Sequence, residues 1–562
     1  MADLTNFSEL TELCETLEKL SSRNEMVDNV AEFLKKIQPD EVDATVRFII
    51  GAPLPSNDPR TLEVSYRTLM DSIKNSTKAT NPQIIEIFNE SGDIGTTVQT
   101  LFEKMKSQRQ LTLFHKPLTI LDVQDYFESM AYTSGTGSRN RKMQIVEALL
   151  GRSSPLEAKY LVKIFLYEMR HGFSTGLMRE AIASAFNIPF KSLQRADLLL
   201  SDLGLVAKIA KQKGTSGIEE VKITLFHPMR PMLAVPVKNV KEAISKHDGK
   251  TVFEYKVDGA RVQIHREGLN IQIFSRRLSN VTNSLPDVVA VVRKELRADN
   301  AILEGEVIAT DEDGEPQPFQ YLMRRFRRVK NLEQKVAELP TILQLFDVLY
   351  LESESLINMP YRERRKTLRK IAGKIPVTAE LVTSDPKEAE VFFEKSLNDG
   401  YEGLMAKRMD SPYMPGIRGK NWLKIKKALD TLDLAIVAAD YGYGYRHKWL
   451  SDYYLAALNE ETGELEVVGK CFKGLTDEEI QEMTDRLRQM QTSEKNRSVT
   501  VKPEIILEIA FSEIQKSTRY KSGFALRFAR IERIRDDKSV NEVDTIERIR
   551  KIYKKQFKRR AS

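Results

Sequence analysis

FEYKVDGARVQIHREG, residues 253–268, alternates apolar and charged side chains on both sides of an Asp-Gly pair. Because successive residues of a strand point to opposite faces of a sheet, the apolar ones share a face: Phe253, Tyr255 and Val257. The other face carries an amine between two carboxylates: Glu254, Lys256 and Asp258. After the Asp-Gly pair the alternation resumes with Arg261 among apolar residues, which predicts a β-hairpin. One face of this hairpin would pack on a core, and the charged face requires a chemical function.

The length of the chain, 562 residues, exceeds what one hydrophobic core supports and predicts roughly three or four domains. Hydrophobic residues make up 41% and charged residues 30%, as in a soluble globular protein with a heavily charged surface. No apolar run approaches the ~20 residues that span a bilayer. The acidic, amphipathic residues 1–17 are unlike a secretory signal. We therefore expect a cytoplasmic protein without a membrane segment.

The number of cysteines and the distribution of charge exclude some functions and suggest others. Cys14 and Cys471 are the only cysteines, so a four-cysteine zinc module and a disulfide framework are excluded. The net charge of +7 is modest for this length, but residues 516–538 and 549–560 are strongly basic. A basic tail either contacts an acidic partner or forms a solvated helix face, and composition alone leaves both open.

The pattern of the sequence changes twice along the chain. Residues 1–220 place apolar residues at helical spacing, with turn-forming segments between them. Residues 221–428 contain β-branched, strand-like runs separated by helical segments, which predicts an α+β domain. Residues 429–562 contain short strands and tight turns. We predict a multidomain protein with an all-α N-terminal domain, an α+β domain and a C-terminal OB-fold β-barrel.

Charged residues adjoin strand-like segments again at later points: SRRLSNVT (275–282), LEGEVIA (303–309), LFDVLYLE (345–352), EGLMAK (402–407), WLKIKK (422–427) and RIRDDK (533–538). Following Lys-x-Asp-Gly at residues 256–259, this ordered set resembles the motifs of the covalent nucleotidyltransferases. Within that superfamily the chain resembles the ATP-dependent DNA ligases of archaeal and eukaryotic replicative type, over essentially its whole length. There is no Gly-x-x-x-x-Gly-Lys-Ser/Thr loop, so ATP binding by a P-loop is not predicted.

The resemblance implies that Lys256 is the nucleophile of nick sealing. It would attack the α-phosphate of ATP, become lysyl-AMP and pass AMP to the 5′-phosphate of nicked duplex DNA, where the 3′-hydroxyl closes the strand. A protonated lysine is a poor nucleophile, so we expect a nearby cation or burial to lower its pKa. The structural alternative is that Lys256 only pairs with Glu254 or Asp258.

The resemblance also implies a set of nucleotide contacts: Glu254, Arg261, Arg276, Glu306, Phe346, Arg418, Lys424, Lys426, Arg535 and Lys538. Phe346 would stack on adenine, with Glu254 near the exocyclic amine. Arg535 and Lys538 would orient pyrophosphate, so the third domain would close over ATP about a hinge near residues 428–433. The chain departs from the family at LRFAR, where Ala529 stands in place of a frequent proline.

Glu306 and Glu402 are the implied metal ligands. Sparse carboxylates suit Mg²⁺, which keeps much of its water and takes few protein ligands, and Mn²⁺ is the second candidate. Each glutamate considered singly is also compatible with an exposed strand carboxylate.

Two segments of the helical domain are candidates for contacts with macromolecules. Residues 133–142, TSGTGSRNRK, resemble a DNA-contacting loop of the replicative ligases. Its backbone and side-chain donors to phosphate would be Gly135, Gly137, Ser138, Arg139 and Lys142; the alternative is a flexible turn between helices. Residues 108–115, QRQLTLFH, resemble a box that docks on a sliding clamp, with Gln108, Leu111 and Phe114 as anchors. We expect the protein to be a monomer.

Rival functions share part of this chemistry. An RNA ligase and a capping guanylyltransferase also use Lys-x-Asp-Gly, but the long helical domain favours an enzyme that surrounds duplex DNA. A non-catalytic scaffold that binds DNA and the clamp would form no covalent AMP adduct. The sequence leaves open the metal preference, the use of other nucleotides and the preference for nicks or cohesive ends.

Overall fold

A computed structural model of the chain describes residues 4–55, 58, 60–106, 116–310, 322, 340–426 and 431–558. The chain divides into two compact units. Unit one comprises Met1–Ile84, Ile94–Leu397 and Tyr401–Lys426, and unit two comprises Ile85–Asp93, Asn398–Gly400 and Lys427–Ser562. Unit one thus contains both the helical region and the middle region. Across the described ranges, no helix has the length and apolarity needed to cross a membrane.

The N-terminal region is helical, as its periodicity predicts. Its elements are α1 (Phe7–Lys19), α2 (Arg23–Lys36), α3 (Val42–Ile49), α4 (Tyr66–Thr77), α5 (Asn81–Ser91), α6 (Ile94–Lys106), α7 (Ile120–Tyr132), α8 (Ser138–Arg152), α9 (Pro155–Phe165), α10 (Thr175–Ala185), α11 (Phe190–Leu200) and α12 (Leu203–Glu219). Capping boxes begin several of these helices. At the start of α9 the Ser154 side chain accepts a hydrogen bond from Glu157 N–H, and the Glu157 carboxylate accepts one from Ser154 N–H.

A row of phenylalanine rings joins four helices in the core of this region. The ring centroids of Phe7 and Phe48 are 6.3 Å apart, those of Phe48 and Phe127 5.5 Å, and those of Phe127 and Phe165 5.1 Å. Each pair meets edge to face, the arrangement that aromatic quadrupoles favour. Since α1, α3, α7 and α9 each contribute one ring, this row fixes the relative packing of those helices.

The middle region is α+β, as predicted. Its elements are β1 (Leu233–Val237), α13 (Val240–Lys246), β2 (Thr251–Tyr255), β3 (Ala260–Glu267), β4 (Asn270–Ser275), α14 (Pro286–Glu295), β5 (Asn300–Ala309), β6 (Thr341–Leu351), β7 (Glu354–Ser355), α15 (Tyr361–Ile371), β8 (Glu380–Thr383), α16 (Pro386–Asn398), β9 (Gly403–Arg408) and β10 (Arg418–Lys426). They form two five-stranded sheets: sheet I, in the order β1-β10-β9-β2-β8, and sheet II, in the order β4-β3-β5-β6-β7. Pairing is antiparallel except between β1 and β10.

The predicted hairpin at the Asp-Gly pair is wrong. Strand β2 ends at Tyr255 in sheet I, whereas β3 begins at Ala260 in sheet II, so residues 256–259 cross from one sheet to the other. The hairpin partner of β3 is β4, and the turn between them uses Gly268 with φ +57°. Gly259 serves another purpose, because a Cβ there would lie 2.4 Å from the carbonyl oxygen of Val307 on β5.

Each sheet buries one face under helices. The core of sheet I includes Phe253, Leu404 and Leu423, with Val240 from α13 and Phe393 from α16. Sheet II packs in the same way against α14 and α15. Since side chains alternate along a strand, the opposite faces of both sheets are free to carry polar groups.

Unit two is rich in strands, as predicted for the C-terminal domain. Its elements in this region are β11 (Thr431–Tyr441), β12 (Leu450–Leu458), β13 (Leu465–Cys471), α17 (Asp477–Gln489), β14 (Gln491–Lys495), β15 (Ser498–Val501), β16 (Ile506–Ala510), β17 (Glu513–Lys516), β18 (Phe524–Arg527), β19 (Arg530–Ile534) and α18 (Ile546–Lys558). Strand β11 pairs with β12 on one edge and with β16 and then β15 on the other. Strand β16 pairs in turn with β19.

Candidate active site

The polar faces of sheets I and II hold most of the residues singled out from the motifs. Sheet I contributes residues next to its core positions: Glu254, Lys407, Trp422, Lys424 and Lys426. Sheet II contributes Arg261, Glu304, Glu306 and Phe346. Contacts between the two sets, described below, define a cleft between the sheets. Lys256 lies where the chain crosses between them.

Lys256 forms an ion pair with Glu402. The backbone fixes this pair, because Lys256 N–H donates to Gly403 O at 2.8 Å and Glu402 N–H donates to Lys256 O at 3.0 Å. Lys426 binds the same carboxylate, with 2.9 Å between its Nζ and Glu402 Oε2. Glu402 therefore connects two lysines of the cleft.

The carboxylates around Lys256 determine its charge. Burial alone would lower the pKa of Lys256, but Glu402, with Glu306 and Asp258 beyond it, outweighs burial and raises that pKa. This differs from the sequence-based expectation of a lowered pKa. The reason is that the segment 256–259 brings the amine against acids, while the cations lie farther along the cleft. In this arrangement Lys256 is a stabilised ammonium.

The two glutamates beside Lys256 differ from each other. Burial raises the pKa of Glu306 to about 7, against the opposing effect of Lys256 and Arg261. Burial acts in the same direction on Glu402, but Lys256 and Lys426 overcome it and hold the pKa of Glu402 well below its usual range. Among the described residues Glu306 has no hydrogen-bond partner, so its oxygens are available to a ligand.

Positive charge gathers around Lys424. Its pKa is lowered by partial burial and then by four cations around it: Lys426, Lys256, Arg418 and Arg276. Arg276 and Arg418 are exposed, although they come from different sheets. Such a concentration of donors favours an anion of several charges, since each lysine or arginine is destabilised by its neighbours until the anion binds.

Glu254 lies in a buried polar cluster deeper in the cleft. Its carboxylate accepts hydrogen bonds from Tyr361 Oη, from Thr378 Oγ1 at 3.1 Å and from Lys407 Nζ at 2.9 Å. The Lys407 ammonium is also 4.8 Å from the ring centroid of Phe346. Phe346 is half-buried.

Arg261 links the two sheets above Phe346. Its Nη2 donates to Glu304 Oε2 at 2.7 Å, and its Nη1 donates to Met232 O at 2.7 Å. Its guanidinium carbon is 5.3 Å from the ring centroid of Phe346 and 5.4 Å from that of Trp422. The structure thus directs Nη1 and Nη2 of Arg261 to protein groups, whereas the resemblance implies a contact with the nucleotide.

Sequence analysis missed several members of this cluster: Tyr361, Lys407, Tyr413 and Trp422. Lys407 and Trp422 were within quoted motifs, as the last residue of EGLMAK and the first of WLKIKK. Alternation could have placed them on the polar faces of β9 and β10. Tyr361 and Tyr413 lie outside those motifs, and no pattern in the sequence around them indicated a place in the site.

In unit two, Arg535 and Lys538 meet at Asp433. Arg535 Nη1 is 3.1 Å from each Asp433 oxygen, and Lys538 Nζ is 2.7 Å from Oδ2. The other side of the Arg535 guanidinium donates to Asp537. Arg535 and Lys538 are therefore both paired with carboxylates within their own unit.

The candidate DNA loop precedes α8. Gly135 and Gly137 have φ of +80° and +78°, and a Cβ at either position would meet nothing within 4 Å. Their backbone is thus open to a ligand, next to Ser138 at the start of α8. Arg139 is 58% exposed, but Lys142 is 3% exposed and its Nζ lies 3.0 Å from Glu63. The prediction that Lys142 donates to phosphate is not supported, because its ammonium is buried against that carboxylate. The clamp-box residues Gln108, Leu111 and Phe114 lie outside the described residues.

The site thus combines a lysine at the crossing between two sheets with carboxylates on one side and grouped cations on the other. Three family models match the chain: "DNA ligase N terminus" over residues 6–183, "ATP dependent DNA ligase domain" over 231–426 and "ATP dependent DNA ligase C terminal region" over 446–538. The chain is 42% identical over 550 residues to a DNA ligase of Thermococcus fumicolans, covering 97% of this chain and 98% of that one. It is 41% identical over 556 residues to a DNA ligase of Archaeoglobus fulgidus, covering 98% and 99%. The chain belongs to the ATP-dependent DNA ligase family.

A comparison of folds agrees with this assignment. A solved structure titled "Pmar-Lig_PreS3" superposes with a TM-score of 0.58 and 17% identity, covering 94% of this chain and 99% of that one. At that identity the match shows the fold alone. Membership of the family means that the protein uses ATP and a divalent metal to seal nicks in duplex DNA. The rival functions of an RNA ligase, a capping enzyme or a non-catalytic scaffold find no support in these matches.

Proposed function

We propose that Lys256 is the residue that carries AMP during nick sealing. The observation that carries this proposal is its position in the cleft, in an ion pair with Glu402 and next to the cations around Lys424. An α-phosphate placed between these groups would be in reach of the amine while the cations hold the remaining phosphates. Attack forms the P–N bond of lysyl-AMP and expels pyrophosphate. Transfer of AMP to the 5′-phosphate and attack by the 3′-hydroxyl then close the strand.

Lys256 has to lose a proton before it attacks. Because the carboxylates raise its pKa, positive charge must be added near them to release the amine. Glu306 and Glu402 are the residues that would hold a divalent metal, and Glu306 fits this role because its oxygens have no protein partner among the described residues. Two carboxylates suit Mg²⁺, which also takes phosphate oxygens, and we favour Mg²⁺ over Mn²⁺. The metal would supply charge neutralisation and polarisation of the phosphates.

The cations of the cleft would bind the triphosphate. Lys424, Lys426, Arg418 and Arg276 belong to this group, and mutual repulsion in the absence of an anion supports their assignment. Lys426 has a second role, since it shares Glu402 with Lys256 and can hold that carboxylate when the amine reacts.

The cluster around Glu254 would bind the base. Phe346 offers a half-exposed ring for stacking on adenine. Glu254 is the acceptor for the exocyclic amine, and Lys407 holds its carboxylate in place at 2.9 Å. Arg261 supports this pocket from the side, since it lies against Phe346 and is anchored by Glu304.

Arg535 and Lys538 would bind the leaving pyrophosphate. This requires the C-terminal domain to close over the nucleotide during adenylation and to open for DNA, as the resemblance implies. Their proximity to one another, through shared contact with Asp433, supports a joint role.

The loop at residues 133–142 would contact the phosphates of nicked duplex DNA. Its support is the open backbone at Gly135 and Gly137, the first residue of α8 at Ser138 and the exposed Arg139.

Residues 108–115 remain our proposed clamp-binding segment, to be tested by calorimetry with the cognate clamp. Domain boundaries at 220/221 and 428/429, a monomeric state and a cytoplasmic location belong to the same proposal.

The test of the nucleophile is adduct formation without DNA. The full-length protein is incubated with α-labelled ATP and Mg²⁺, denatured and separated on a gel, with GTP, dATP and NAD in parallel. We expect label on the wild-type chain with ATP and none on Lys256→Ala. Lys256→Arg is the matched control, because it keeps a cation beside Glu402 but cannot form the phosphoramidate. Label retained by either variant, or a mass increment on a different residue, would refute the assignment.

A further inference from the structure

Asp433 of unit two is the shared carboxylate partner of Arg535 and Lys538. It is the third residue of β11, close to where the chain enters the C-terminal region. Its carboxylate accepts from two basic side chains of the last motif, at 3.1 Å from Arg535 Nη1 and 2.7 Å from Lys538 Nζ. These two cations come from residues more than a hundred positions later in the chain.

The carboxylate is held in place by its own backbone. Asp433 N–H donates to Asp544 Oδ2 at 2.8 Å, and Asp433 O accepts from Asp544 N–H at 2.8 Å. Asp433 is 14% exposed and Arg535 12% exposed, so water screens the pair only in part. Salt therefore screens the attraction within this pair less than that of a freely exposed surface pair.

All three nitrogens of the Arg535 guanidinium contact carboxylates. Nη1 binds Asp433, while Nε and Nη2 bind Asp537 at 2.8 Å each. Lys538 has Asp433 as its carboxylate partner. A phosphate that binds both cations would therefore compete with these carboxylates, and Asp433 is the one that both cations share.

We propose that Asp433 is a positioning residue that competes with pyrophosphate for Arg535 and Lys538, and so sets how tightly the C-terminal domain holds the leaving group. This inference rests on the proposed function of those two cations. When pyrophosphate leaves after adenylation, Asp433 takes the cations back. Release of the domain then costs less than it would with two unpaired charges.

The reverse of adenylation measures this competition directly. In it, a pyrophosphate oxygen attacks the phosphorus of lysyl-AMP, the P–N bond breaks, the lysine amine takes a proton and ATP is released. Full-length adenylated protein is titrated with inorganic pyrophosphate and Mg²⁺, and the concentration for half-maximal discharge of AMP is recorded. For Asp433→Asn, which keeps the shape and removes the charge, we expect this concentration to fall by about threefold or more.

Other variants distinguish the role of Asp433 from the proposed binding of pyrophosphate by Arg535 and Lys538. Arg535→Ala and Lys538→Ala should raise the half-maximal concentration; if neither does, the proposed function of those residues fails. Asp452→Asn is the matched control, because Asp452 pairs with Lys470 in the same unit and should change nothing. Asp433→Ser repeats the test with a shorter neutral side chain in case the asparagine variant is unstable. An unchanged or raised concentration for the Asp433 variants, with normal thermal unfolding, overturns the inference.

Discussion

The Nζ of Lys407 lies 2.9 Å from Oε2 of Glu254, although 153 positions separate the two residues in the chain. Both side chains are 2% exposed. Three aromatic ring centroids surround the ammonium at 4.5–4.8 Å: those of Phe346, Tyr361 and Trp422. Burial lowers the pKa of Lys407, and Glu254 opposes that effect by stabilising the ammonium. The pair therefore lies at the centre of the proposed base pocket, where Lys407 contacts both Glu254 and Phe346.

Removal of one partner of this pair should damage both stability and nucleotide binding. Lys407→Met keeps the length of the side chain and leaves the buried Glu254 carboxylate with only the more distant Arg365, at 3.8 Å, as a cation. A buried ion pair broken on one side costs about 3–5 kcal/mol, so the thermal unfolding temperature should fall and ATP should bind more weakly.

The double variant Glu254→Gln with Lys407→Met provides the control. Because it removes both charges, it should be more stable than Lys407→Met alone, and a double-mutant cycle gives the coupling. A double variant less stable than either single variant would contradict the interpretation of the pair as mutually dependent.

Gly259→Ala should impair adenylation without altering any chemical group. A Cβ at residue 259 would lie 2.4 Å from Val307 O and 2.8 Å from Glu306 Cγ, and neither contact is possible without movement. The crossing segment would shift, and Lys256 with it, so we expect the rate of AMP adduct formation to fall at least about tenfold. Gly151→Ala is the control, since a Cβ there meets nothing within 4 Å. Equal adduct rates in both variants would show that the close approach does not position Lys256.

Arg139 and Lys142 should behave differently in DNA binding. Arg139 is exposed, so Arg139→Ala should weaken binding to nicked duplex and reduce the slope of log K against log salt by about one. Lys142 is buried against Glu63, so Lys142→Ala should lower the unfolding temperature and leave that slope unchanged. The measurement is fluorescence anisotropy over a range of salt, with circular dichroism for stability. A reduced slope for Lys142→Ala would restore its role as a phosphate donor.

Two buried histidines should make the protein less stable in mild acid. Burial lowers the pKa of His171 to about 4 and that of His265 to about 3. In His265, Nδ1 accepts from Phe226 N–H at 2.9 Å and Nε2 contacts Gln263 at 2.9 Å, so protonation of Nδ1 breaks a hydrogen bond. Between the unfolded pKa near 6.5 and these folded values, the unfolded chain binds more protons.

The contribution of the two neutral histidines to the free energy of unfolding is therefore fully present above pH ~6.5. It is lost as pH falls below that value, by up to about 1.4 kcal/mol per pH unit for each histidine. Denaturant unfolding between pH 7.5 and pH 5 measures this slope. His265→Gln should reduce the slope, because glutamine does not titrate. If the variant and the wild type lose stability in parallel, the histidine is not responsible.

Much of the fold could be predicted from local pattern. The strand-like segments LFDVLYLE and EGLMAK overlap β6 (Thr341–Leu351) and β9 (Gly403–Arg408), because the residue pattern of each segment favours extended backbone. The placement of β2 and β3 in different sheets could not be predicted. An Asp-Gly pair between alternating segments is typical of a hairpin, but here Gly259 is required by a contact with β5.

The sequence by itself determined which chemical groups the protein has and on which side of each strand they lie. Those properties depend on residue type and on a two-residue period, which are local. Tertiary structure alone decided which groups meet: Glu402 with Lys256, Lys407 with Glu254, and Glu63 with Lys142. The partners lie far apart in the chain, and their contact depends on how sheets and helices pack. That packing also set the pKa of Lys256, since burial and neighbouring charge are properties of the folded molecule.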